Sequence, residues 1–175
     1  MKALVLGSTV LSITIAVALS FTGCNRETPT GMMTIKLTDA PANYLQVNID
    51  ITGLQVHTET HGWVSVPIEA GVYDLLTLQN DVTAVLADSA FLPAGRVQQM
   101  RLLLGPNSSL LTTTGLYSLV VPSGSETGLK VNINKELQPN SVVQVVLDFD
   151  ATASVVETGN GGYVLKPVIK LKSIN

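Results

Sequence analysis

The sequence predicts an all-β domain behind a short apolar leader, and three observations carry that prediction. Charged residues make up only 13% of the 175 residues, about half the usual share, while Val, Leu and Ile dominate the apolar set. Apolar and polar residues alternate with period 2 through much of the chain, as in half-buried strands. Clusters of Gly, Pro, Ser and Asn separate these runs at short intervals, where tight turns form. Many short strands joined in this way make an antiparallel β-sandwich, immunoglobulin-like or prealbumin-like, with one short helix.

The first element is the leader. Met1-Lys2 precedes the apolar run Ala3 to Leu19, which is shorter than the roughly 20 residues a spanning helix needs and reads as a removable signal segment, residues 1–23. Cys24 is the only cysteine. It follows Gly23, the small residue a signal peptidase requires before its cut, and stands beside Asn25, Arg26 and Glu27, outside any apolar pattern. Ser20-Phe21-Thr22-Gly23-Cys24 resembles the lipobox of bacterial lipoproteins, with Phe21 where Leu is usual. The expectation is a diacylglyceryl group on Cys24, with each acyl methylene adding about 0.8 kcal/mol of membrane affinity. Asn25 is not the aspartate that resembles an inner-membrane retention signal, so an outer-membrane destination is favoured.

Residues 24–31 are polar and contain Pro29 and Gly31, the composition of a flexible tether. The remaining 32–173 form one domain. Cleavage leaves 152 residues, enough to bury a core without staples, and with Cys24 spent no disulfide can form within the chain. Lys2 departs with the leader, so nine Lys and Arg face thirteen Asp and Glu, a net charge of −4. That balance argues against nucleic acid, which is bound mainly through Lys and Arg.

Within the domain, Met33, Ile35 and Leu37 alternate with Thr34, Lys36 and Thr38. Leu45, Val47, Ile49 and Ile51 repeat the pattern, whose phase flips at Gly53 to Leu54 and Val56, the mark of a bulge. Asn80 or Asp81 can cap a helix carrying Val82, Val85 and Leu86 at i, i+3, i+4 and ending near Ala90. Strands follow at Val97 to Leu104, Leu116 to Val121, Leu129 to Ile133, Val142 to Phe149 and Tyr163 to Lys172. The Gly159-Asn160-Gly161-Gly162 stretch reads as a hairpin turn.

Within these strands and turns, Leu37-Thr38-Asp39-Ala40-Pro41, Tyr73-Asp74-Leu75-Leu76-Thr77-Leu78, Leu92-Pro93-Ala94-Gly95, Gln99-Met100-Arg101-Leu102, Pro122-Ser123-Gly124, Gly128-Leu129-Lys130, Leu147-Asp148-Phe149-Asp150-Ala151 and Leu165-Lys166-Pro167-Val168 resemble, in order and spacing, the bacterial lipoprotein family catalogued as domain of unknown function 4382. The resemblance implies an envelope β-domain and transfers no catalytic residue.

Two constellations carry chemistry. His57, Glu59 and His61 alternate along one strand face, and two imidazoles with a carboxylate can bind zinc. The competing reading is an exposed hairpin arm lacking a fourth ligand and an orienting shell. Asp148 and Asp150 share a face and could hold calcium with Asp39 or the Gly159–Gly162 loop, or serve as acid and base. If Val142–Asp150 and Tyr163–Lys172 pair antiparallel, Lys166 lies near the aspartates, with Lys170 and Lys172 further along, and the favoured reading is cross-strand ion pairing. Ser123 lacks the Gly two places earlier that a nucleophile elbow needs. The preferred function is therefore a non-catalytic lipoprotein anchored to the envelope membrane, its sandwich binding a protein or glycan through its loops. The alternative is a metal-dependent envelope hydrolase using the carboxylate or His/Glu site.

Overall fold

The computed structural model describes residues 28–122 and 128–175, so the signal segment, Cys24 with the first half of the tether, and Ser123 lie outside the described residues. Two sheets enclose one core. The first has the order β13 (Ile169–Ile174), β10 (Val142–Phe149), β1 (Thr30–Asp39), β5 (Ala84–Pro93). The second is built on β2 (Gln46–Thr58), the longest strand. One edge of β2 pairs with β3 (Gly62–Val66) and β4 (Gly71–Asp74), the other with β6 (Gly95–Leu104) and β7 (Ser109–Thr112). β9 (Leu129–Leu137) extends the sheet beyond β6, and β8 (Gly115–Ser118) beyond β7. A separate hairpin joins β11 (Val155–Glu157) to β12 (Tyr163–Leu165).

The all-β class holds, and the ladders are antiparallel with the exception of β1 with β10, which run parallel over eight residue pairs from Met32↔Val142 to Asp39↔Phe149. Met33, Ile35 and Leu37 of β1 pack in one buried cluster with Val47, Ile49 and Ile51 of β2 and with Phe149 of β10. Each such side chain contributes about 1.5 to 3 kcal/mol on full burial. Gly53 sits at a register break between β2 and β6, and Leu54 and Val56 beyond it are buried, as the phase change predicts. β1 starts at Thr30, so the last two residues of the expected tether are in a strand. Leu45, expected inward, precedes β2 and is 56% exposed.

The helix expected over residues 80–90 is strand β5. Asn80 and Asp81 both have positive φ, 56° and 66°, and form a turn instead of a cap. A bulge at Asp88-Ser89, with Ser89 at φ 51°, lets Ala87 and Ala90 both face the core. Of the three residues whose spacing suggests a helix, Leu86 is buried whereas Val82 and Val85 are exposed. The α-helix found among the described residues is a single turn, α1 (Ala151–Ser154), where Asp150 Oδ1 accepts a hydrogen bond from Ala153 N at 2.9 Å.

The single strand expected over Tyr163–Lys172 divides at Pro167. Its first part, β12, pairs with β11 around the expected glycine turn, where Thr158 N donates to Gly162 O and Gly161 takes φ 73°. Its second part, β13, pairs antiparallel with β10. β6 and β7 lie end to end along β2, offset by a four-residue loop held by the buried Asp50. Its Oδ2 accepts from Asn107 N at 3.1 Å and Asn107 Nδ2 at 2.9 Å, and its backbone N donates to Ser108 Oγ at 3.1 Å.

Candidate functional site

The parallel β1–β10 pair brings two of the aspartate motifs together. Thr38 lies opposite Asp148 and Asp39 opposite Phe149. Asp39 is 3% exposed, and its Oδ1 accepts from Ala151 N at 2.9 Å, so it secures the start of α1 while Asp150 caps the same turn. Thr38 Oγ1 bridges to Leu78 O and Val82 O, both at 2.8 Å. Burial pushes the Asp39 carboxyl up from 3.8 to about 6, with the nearby charges of Asp148 and Asp150 adding to the shift, against the opposing hydrogen bond from Ala151 N–H. The Gln79 amide lies near enough to favour the anion as well, although its Nε2 is outside hydrogen-bond geometry.

Lys170, and not Lys166, meets Asp148, at 3.2 Å. The two are register partners, while the Lys166 backbone turns away to donate to Ser154 O. Lys172 reaches Asp81 at 2.6 Å, which holds the Asp81 carboxyl below its usual range. Asp39, Asp148 and Asp150 thus form a corner in which an anchor, an ion pair and a cap each engage one carboxylate oxygen, while Asp39 Oδ2 and Asp148 Oδ1 are buried without a hydrogen-bond partner among the described residues. Among the described residues no group of three or more His, Cys, Asp or Glu is placed to hold a metal ion.

The histidine arm has a different surrounding. His57 is on β2, whereas Glu59 and His61 fall in the β2–β3 turn, so the shared strand face stops at His57. His61 Nδ1 meets Thr60 Oγ1 at 2.7 Å. His57 packs edge-on against Trp63 at 4.9 Å. His57 and Glu59, without His61, line an open groove of about 480 Å³ on the outer face of the second sheet.

Strand register builds this groove in rows. Trp63, His57, Gln99 and Asn132 stand opposite one another across β3, β2, β6 and β9. The next row is Ser65, Gln55, Arg101 and Lys130. The side chains are tied together: Gln99 Nε2 donates to Asn132 Oδ1 at 2.8 Å, Gln55 Nε2 to Ser65 Oγ at 3.2 Å, and Arg101 Nε to Gln55 Oε1 at 2.5 Å. Arg101 Cζ lies 4.2 Å from the centre of the Trp63 ring, a cation–π contact. Opposed bulges in β6 and β9 place Gln98 and Asn134 on the rim. Asn134 has φ 50°, a conformation Asn tolerates better than most residues. Sequence reasoning had singled out His57 and Glu59 of this groove. Gln99, Lys130 and Asn132, with Arg101 one row beyond the lining, carry a signal only as polar residues in the outward phase of two strands, β6 and β9.

Two packed sheets with a tied polar groove on one outer face define a β-sandwich domain, with no metal-ligand cluster among its described residues. The family model described as a domain of unknown function, DUF4382, matches residues 30–167. The chain belongs to that family. No curated protein and no solved structure matches it.

Proposed function

We propose that this protein is a lipoprotein of the bacterial cell envelope, attached through Cys24 to the outer membrane, and that its sandwich is a non-catalytic module binding a glycan. The lipobox-like Ser20–Cys24 segment behind a short apolar leader supports the anchor. The observation that carries the binding reading is the groove, where a row of imidazole and two amides is pre-ordered by cross-strand bonds and left open to solvent. Sugar hydroxyls both donate and accept, and side-chain amides offer both functions in return. A protein partner would require about 800 Å² on each side around an apolar centre. None of the large exposed apolar side chains, such as Phe91, Leu116 and Val142, lines this groove. The recognition surface is therefore the face of a sheet, not the loops that the sequence favoured.

The test is binding of the full-length lipidated protein, in detergent micelles, to a panel of immobilised neutral and acidic oligosaccharides. The combined Gln99→Ala and Asn132→Ala variant is expected to lose binding while keeping its melting midpoint, and an unchanged binding profile would remove the groove from the reading. Mass spectrometry of the mature amino terminus tests the anchor, which falls if Cys24 is unmodified on an uncleaved leader.

A further inference from the structure

Arg101 and Lys130 are direct cross-strand partners on the outer face of the second sheet. Like charges at opposed positions destabilise a strand pair, and the usual remedy is a carboxylate between them. Among the described residues the ion pairs are Lys170–Asp148 and Lys172–Asp81, and neither Arg101 nor Lys130 forms one. The two cations stand together on a chain whose net charge is −3.

The guanidinium is also held in place. Trp63 supports its plane, and Gln55, itself donating to Ser65, accepts from Nε. The terminal nitrogens of Arg101 make no hydrogen bond among the described residues, which leaves the outer fork, the edge that grips carboxylate or phosphate in two-point fashion, directed to a ligand. Lys130 adds a mobile point charge beside that fork and lines the groove. The row of His57, Gln99 and Asn132 begins one step away along the same strands.

We propose that Lys130, which lines the groove, and Arg101, in the row just beyond its lining, form an anion subsite at the groove's end, so that the glycan it binds is acidic, its carboxylate seated between the two cations and its hydroxyls on the amide row. The inference rests on the glycan reading and adds to it the charge of the ligand. Specificity would then come from the fixed fork of Arg101, and lysine in its place would lose the two-point geometry.

The experiment titrates the full-length protein with three probes: an oligogalacturonate, its methyl ester, and inorganic phosphate. It follows the side-chain Nε–Hε resonance of Arg101 together with binding heat. The acid is expected to shift that resonance and to bind at least about tenfold more tightly than the ester, with the difference shrinking as salt screens the charges. Lys130→Gln and Arg101→Gln should each abolish the preference, and without ligand Lys130→Gln should melt no lower than the parent because the repulsion is gone, whereas Arg101→Gln also gives up the Trp63 and Gln55 contacts. Equal binding of acid and ester overturns the anion subsite and leaves the glycan reading standing. A shift with phosphate but with neither sugar overturns the glycan reading and the acidic-sugar assignment with it. No shift of Arg101 with any probe overturns the subsite outright.

Discussion

The domain has two polar clusters, and they differ in how their charges are met. At the Asp39 corner, one oxygen of each carboxylate is engaged by the backbone of α1 or by Lys170, and Asp39 Oδ2 and Asp148 Oδ1 stay buried beside them without a hydrogen bond among the described residues. At the groove, Lys130 and the neighbouring Arg101 face each other across two strands with side-chain amides beside them and no ion pair among the described residues, Glu59 lying elsewhere on the lining. The first arrangement joins sheet to turn, because desolvating a carboxylate is tolerable when an N–H or a cation compensates it. The second leaves bonding capacity unspent, and capacity held ready at the surface is what a ligand uses.

The comparison can be broken first at the corner. Phe149, fully buried and opposite Asp39, should cost about 3 to 5 kcal/mol when changed to Ala, measured by denaturant unfolding. A smaller loss would mean that the two sheets collapse around the gap.

Asp39→Ala leaves the Ala151 N–H without its acceptor, a loss of about 1 to 3 kcal/mol. Asp39→Asn keeps an acceptor and isolates the charge. Because the folded carboxyl titrates near 6, above its unfolded value of 3.8, its favourable contribution is fully present below the lower value and is lost as pH rises through the upper. The parent melting midpoint should therefore gain on Asp39→Asn as pH falls through that interval, and the two melting curves should diverge at neutral pH with the variant higher. Parallel curves would place Asp39 in a more solvated setting than its burial implies.

Lys170→Ala should cost less, up to about 1 kcal/mol, since Lys170 is itself largely solvated. Smallest of all, Gln99→Ala or Asn132→Ala should move stability by no more than about 0.5 kcal/mol while removing glycan binding. A large stability loss there would turn the groove into a second structural cluster and erase the contrast.

Much of this was legible in the sequence where the signal is local. The inward phase of β1, the bulge at Gly53 and the extent of β10 follow from alternation and from one glycine. The reading failed at β5, where Val82 and Val85 have helical spacing to Leu86 by chance and are exposed, and at Pro167, which divides a run that looked continuous. Asp148 and a lysine were rightly set on facing strands, but a register that only the fold determines chose Lys170 over Lys166. The groove was illegible for the same reason. Gln55, Arg101 and Lys130 are distant in sequence and become neighbours through two strand pairings whose offsets depend on bulges at Gly53 and Gln98.

The placement of β1 has a mechanical consequence. Thr30 is six peptide steps from Cys24, so the strand begins no more than roughly 20 Å along the chain from that residue. β1 is an inner strand, paired with β10 on one side and β5 on the other. Tension applied ahead of Thr30 would run along β1 and load both ladders together in shear, whereas an edge strand pulled from its end would peel away bond by bond. Were Cys24 the anchor proposed above, drag on the domain would reach its core through both ladders at once, with the parallel pair acting as the clamp.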